Sequence, residues 1–258
     1  MIKFDFLEAN KEKFRTEYLT AQPFPHLILD GICEEEKLEK LYAQIPELDN
    51  KSRDYMFANN KFEKSNYKVI GPLFEELYND LQSERMNKFL TFIAAEDIFV
   101  DPKNHGGGLH QGKKNSFLDM HADFNYHPIH QLWFRNLNLL LYLNKDWKPE
   151  YGGQLKLEDA RSGKTKVVDV PFNRLVIQQT RTWTLHGYDM TNFPEKVYRT
   201  SIATYAYTEH KLHIEKPRST DWKPKDDASV GKKLAAKYLD SALKLKHKLF
   251  GSGTAKNQ

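Results

Sequence analysis

Between residues 97 and 208 the chain is cut into short runs rich in β-branched and aromatic residues, each closed by turn residues. The runs are 98–101, 116–124, 138–143, 154–158, 166–170, 175–179, 183–185 and 198–207. Glycines at 106–108 and 152–153, Trp147-Lys-Pro149 and Pro171 fall between them. Runs of this length, punctuated by Gly and Pro, read as strands. So many, so closely spaced, predict an antiparallel sandwich or jelly roll.

The upstream part supports this core with helices. His26-Leu-Ile-Leu-Asp30 reads as a strand that ends at Gly31, and Leu38, Leu41, Tyr42 and Ile45 then recur at helical spacing until Pro46. Gly71-Pro72 opens a second helix with Leu73, Leu77 and Leu81 on one face. Ser83 caps a third that carries Met86, Phe89, Leu90 and Ile93. The fold class is therefore mainly β (α+β). One domain is expected over 1–210, with helical support over 1–96 and the β core over 97–210. A basic extension, 211–258, follows. In it, 223–227 reads as a linker, 229–250 as a lysine-rich amphipathic helix and 251–258 as a disordered end.

Bulk properties narrow the function classes. Aromatic residues make up 13% of the chain, enough for a sizeable core. A net charge of +4 is too small an excess to argue for nucleic acid. The lysine-rich helix is the one segment that could meet an acidic partner. A single cysteine, Cys33, forbids an intrachain disulfide and fits a reducing cytoplasm. Charge interrupts the first residues too early for a signal peptide, and no apolar run approaches the length of a membrane span.

The chemistry concentrates in Leu118-Asp-Met-His121-Ala-Asp123. Residues two apart on a strand share a face, so His121 and Asp123 can bind one metal ion together. An imidazole and a carboxylate suit ferrous iron, and a second histidine would complete a 2-His-1-carboxylate face with three positions open. Those positions accommodate a chelating 2-oxo acid and O₂. His-x-acid doublets are cheap, however, and His213-Ile-Glu215 is another. What singles out the first is its sequel. His186 follows at the end of a strand, and Arg199-Thr-Ser201 lies thirteen residues beyond it. An arginine fork beside a hydroxyl makes a good receptor for the far carboxylate of a dicarboxylate. His110 and Asn125 flank this set and are candidates for a substrate side.

Six stretches carry a resemblance: Pro23-Phe-Pro-His-Leu-Ile-Leu-Asp30, Gly106-Gly-Gly-Leu-His-Gln111, Leu118–Asn125, Leu137-Asn-Leu-Leu-Leu-Tyr-Leu-Asn144, Tyr151-Gly-Gly-Gln-Leu155 and Tyr198–Thr208. Together they resemble the prolyl 4-hydroxylase-like branch of the iron(II)/2-oxoglutarate oxygenases, bacterial members above all. The resemblance implies a double-stranded β-helix with iron on His121, Asp123 and His186. It implies 2-oxoglutarate on Arg199 and Ser201, with Asn138 near the co-substrate, and O₂ as oxidant with ascorbate as an accessory reductant. The implied activity is hydroxylation of an unactivated C–H bond, with decarboxylation of 2-oxoglutarate to succinate. The substrate would be a peptide, free amino acid, sugar or small metabolite. Collagen-type prolyl hydroxylases usually carry lysine where this chain has Arg199, so proline is not singled out. A halogenase on the same fold would lack the carboxylate ligand, which Asp123 supplies. A non-enzymatic jelly-roll binding protein is the other alternative.

Overall fold

A computed structural model describes residues 1–49, 57–224 and 229–238. The helical support opens with two helices not singled out in the sequence, α1 (Phe4–Ala9) and α2 (Lys11–Thr20), which bury Leu7, Phe14 and Tyr18. Strand β1 (His26–Asp30) leads into α3 (Glu35–Tyr42), whose first turn holds Glu35 and Glu36 where the helix dipole favours acids. After β2 (Ala58–Lys64) come α4 (Pro72–Leu81), with proline at its start, and α5 (Glu84–Ala94). Ser83 caps α5 as expected, its side chain accepting the Met86 N–H at 3.2 Å.

The remaining strands are β3 (Phe99–Val100), β4 (Gly108–Ala122), β5 (Trp133–Tyr142), β6 (Leu155–Asp159), β7 (Lys164–Val168), β8 (Arg174–Gln179), β9 (Thr184–Tyr188), β10 (Arg199–Glu209) and β11 (Asp221–Lys223). They form one antiparallel sheet in the order β1-β8-β5-β10-β4-β9-β6-β7, with β2 and β11 on β4 and β3 on β10. The sheet curls into a half-barrel of jelly-roll type with flanking helices. Alternation along the strands divides the core. Leu139 and Leu141 of β5, Leu175 and Ile177 of β8 and Ile202 of β10 pack under the helices with Phe74, Leu77, Phe89 and Ile93. Tyr142 and Val176 face the other way, into a smaller cluster with Leu155, Leu157 and Val168, and Leu140 packs against it. By the same period, Asn138, Tyr142, Arg199, Ser201 and Tyr205 lie on this inner face.

Two elements differ from expectation for clear physical reasons. Glycines 106–108, which read as a loop, lead directly into β4. A Cβ at Gly107 would stand 2.4 Å from Asn104 Oδ1 and 2.5 Å from the Ala203 carbonyl, so glycine here serves close backbone approach. Strand β2, Ala-Asn-Asn-Lys-Phe-Glu-Lys, is too polar to be read as one; it buries Phe62 toward the helices and presents Lys61 and Glu63 on its opposite face. In the extension, β11 joins the sheet and residues 230–238 are helical, with Ser229 Oγ accepting the Lys232 N–H. The expected linker falls partly outside the described residues, and the rest of the expected helix and the terminal residues fall wholly outside them. No described helix is long and apolar enough to cross a membrane.

Candidate functional site

His121 and His186 are 65 positions apart in sequence but face each other across β4 and β9, in register. Their rings lie 4.3 Å apart. The strands approach closely because β9 carries Gly187, where a Cβ would meet the Leu118 carbonyl oxygen at 2.6 Å. The His121 Nδ1 donates to the Asp119 carbonyl at 2.9 Å, which fixes the tautomer and leaves Nε2 bare. Asp123 sits just past the end of β4, its Oδ1 3.6 Å from His121 Nε2 and its Oδ2 3.5 Å from His186 Nε2. One ligand atom from each of the three residues falls within 4.8 Å of the others, so the set could hold a metal ion.

The carboxylate is held from behind. Asp123 Oδ2 accepts from Asn138 Nδ2 at 2.7 Å and pairs with Arg135 Nη2 at 3.0 Å, while Arg135 Nε donates to Asn138 Oδ1 at 2.9 Å. Arg135 is 1% exposed and stacks over the Tyr205 ring at 3.4 Å. Burial alone would raise the Asp123 carboxyl, but Arg135, His186 and His121 outweigh it and hold it well below the usual carboxylate range. Burial, with His121 alongside, pushes the His186 ring down to about 3, so it is neutral and able to ligate. Asn138 thus gives both amide atoms to the Asp123 brace. Arg135 escaped the sequence reading, since an arginine in an apolar strand shows no partner in the sequence. Its position three residues before Asn138 in a strand otherwise almost free of charge was the available signal.

A second group lies along the inner face. Arg199 Nε donates to the Gly153 carbonyl at 2.6 Å, and its guanidinium sits 4.0 Å over the Tyr188 ring. Tyr188 is two residues from His186 on β9 and so links this group to the first. The Tyr142 hydroxyl bonds to Arg199, and burial raises its phenol above the ordinary value. Ser201 stands beside Tyr142 on one side and His110 on the other. His110 is flanked across β2 by Glu63, at 3.9 Å, which pairs with Lys61 at 2.8 Å. Burial, aided by Lys61, pushes the His110 ring down to about 3. Asn125 is used differently: it donates to the Lys216 carbonyl and accepts the Arg218 N–H, anchoring residues 216–218.

A second histidine–carboxylate cluster, Asp101, His105 and His127, is fully buried. There, His127 Nδ1 accepts the N–H groups of Ile129 and His130, which puts the ring proton on Nε2. That N–H and His105 Nδ1 both point at Asp101 Oδ2, at 3.3 and 2.8 Å. The cluster braces the loop after Asp123 through His127, which unlike His121 has no bare Nε2 to offer, while the buried His105 Nε2 has no hydrogen-bond partner among the described residues.

A curled antiparallel sheet with a His–Asp–His set beside an arginine pocket has the donor set that a non-haem metal ion would need. Residues 107–207 match the family model described as the 2OG-Fe(II) oxygenase superfamily, a span holding all three residues of the set together with Arg199 and Ser201. The fold is shared with a Pseudomonas putida prolyl-4-hydroxylase, at 15% identity and TM-score 0.56, over 78% of this chain and 100% of that one. A Trichoplax adhaerens prolyl hydroxylase, crystallised with a hypoxia inducible factor peptide fragment, matches at 13% identity and TM-score 0.55, covering 80% and 92%. A Phytophthora capsici prolyl 4-hydroxylase matches at 15% and 0.55, with 81% of this chain spanning 66% of that one. No curated protein matches the sequence. The matched span and the shared fold are those of prolyl 4-hydroxylase-like 2OG-Fe(II) oxygenases, and both support a dioxygenase.

Proposed function

We propose that His121, Asp123 and His186 hold Fe(II), that Arg199 with Ser201 and Tyr142 receives the far carboxylate of 2-oxoglutarate, and that the enzyme hydroxylates an unactivated C–H bond of a peptide or small-molecule substrate. The observation that carries this reading is the convergence of two imidazoles and a braced carboxylate, with the tautomer of His121 already set for ligation. Bound iron and 2-oxoglutarate would supply oxygen activation coupled to oxidative decarboxylation of the co-substrate. The protein's own residues do the rest. Arg135 and Asn138 occupy the Oδ2 side of Asp123, which leaves Oδ1 for the metal. The Gly153 carbonyl and the Tyr188 ring fix the Arg199 fork, so that a dicarboxylate meets a charge already oriented. Lys61, Glu63 and His110 give the cleft a polar wall, and this wall is where substrate selection is assigned. Asp123 fills the position that a halogenase leaves for halide, which favours hydroxylation.

Purified protein with Fe(II), ascorbate and 2-oxoglutarate should form succinate slowly alone and faster when its substrate is supplied. The product should gain one oxygen atom, derived at least in part from ¹⁸O₂. Succinate no higher than in a His121→Ala control, across peptides, amino acids and sugars, would favour the binding-protein alternative. A chlorinated product in chloride buffer would contradict hydroxylation.

A further inference from the structure

Three side chains from beyond residue 210 reach three alternate residues, 119, 121 and 123, that bracket the two candidate ligands on the β4 side. Lys232 Nζ pairs with the Asp119 carboxylate at 2.6 Å. Trp222 packs on the His121 ring with centroids 4.7 Å apart and planes tilted by 31°, and it also stacks on Phe57 at 5.0 Å. Arg218 Nη1 donates to the backbone carbonyl of Asp123 and, at 3.3 Å, to that of Ala122. The segment is anchored independently: the Arg218 N–H donates to Asn125 Oδ1 at 2.9 Å, and β11 lies in register with β4, Trp222 opposite His121.

Each contact meets a need of the ligand it touches. The His121 ring is tethered at Nδ1 to the Asp119 carbonyl, and Asp119 is itself held by Lys232. One tether still lets an imidazole swing about that hydrogen bond; a flat indole against its face removes the swing. Asp123 leaves the sheet where β4 ends, and the Arg218 guanidinium supplies a donor to its carbonyl and to that of Ala122, the last residue of β4. Trp222 is 7% exposed despite standing in a polar stretch of chain, as a packed structural side chain would be.

We infer that residues 210–224 form a strap, joined by the Lys232 side chain, that positions His121 and Asp123 for metal binding, with Trp222 and Arg218 as its positioning residues. The strap lies outside the 107–207 span that matches the family model, so the metal centre of this protein is completed from its C-terminal extension. This rests on the iron assignment made above.

The test uses the full-length chain under anaerobic conditions, with Fe(II) as probe and the visible charge-transfer band of the Fe(II)–2-oxoglutarate complex as readout. Trp222→Ala and Arg218→Ala should each weaken Fe(II) binding about 10–100-fold, the usual cost of losing a group that orients a ligand. Trp222→Phe should recover most of the loss. The 2-oxoglutarate concentration needed at saturating iron should be unchanged, because Arg199 is not touched by the strap; a general loosening of the fold would move both. Should Trp222→Ala fail to fold, Trp222→Phe, Arg218→Ala and Lys232→Ala decide the matter by the same readouts. Parent-like iron affinity in all folded variants would overturn the strap while the parent band still stood. Absence of the band in the parent would remove the iron reading and the strap together.

Discussion

Asp123→Ala should abolish tight Fe(II) binding and, independently, lower stability by about 3–5 kcal/mol, the cost of leaving one partner of a buried ion pair alone. The first effect follows from losing one of only three protein ligands. The second follows from Arg135, a buried guanidinium whose carboxylate partner is Asp123 at 3.0 Å. In a chain of this size the loss corresponds to a fall in melting temperature on the order of 10 °C. His186→Ala provides the contrast. It should lose iron as fully, yet it strands no buried charge and should melt closer to the parent. Calorimetry and metal analysis of both variants separate the effects, and equal melting temperatures would show that Arg135 does not depend on Asp123.

Arg199→Ala should raise the 2-oxoglutarate requirement far more than it alters affinity for iron alone. Removing one partner of a buried charge-assisted pair costs on the order of 2–5 kcal/mol, or roughly thirty-fold to several-thousand-fold in concentration. Gly153→Ala should act in the same direction but less strongly. Its backbone has φ +74°, unfavourable for a side chain, and the new Cβ would stand 2.9 Å from Arg199 Cδ and 3.2 Å from Nε. The fork would then have to move. The measurement is a 2-oxoglutarate titration at saturating Fe(II), following succinate. If Arg199→Ala leaves the half-saturating concentration where it was, the co-substrate carboxylate is received elsewhere.

How much of this was legible in the sequence depended on whether the signal was local. Helices with apolar faces, such as α4 and α5, and strands that are short continuous runs of Val, Ile and Leu, such as β8, could be read because their burial pattern is written in adjacent residues. The His121–Asp123 pair could be read for the same reason, since the spacing itself puts both side chains on one face. Residues whose role depends on a distant partner were not legible. Arg135 looks like any strand arginine until β5 brings it under Asp123. Gly153 and Gly187 look like turn and strand glycines until Arg199 and β4 crowd them. Lys61 and Glu63 sit in a strand whose polar sequence hides it. Asn138 was expected near the co-substrate, and the fold gives its amide to Asp123, fifteen residues upstream. Trp222 offered a faint cue, a lone indole in a polar tail, but only the pairing of β11 with β4 reveals that it lies against His121.

One spectrum tests the iron ligands most directly. Anaerobic Fe(II) and 2-oxoglutarate added to the parent protein should produce a weak visible charge-transfer band, which saturates near one iron per chain. The same addition to His186→Ala should produce none. A band of full strength in His186→Ala, or its absence from folded parent protein at saturating iron, would contradict the assignment of His121, Asp123 and His186 as the iron ligands.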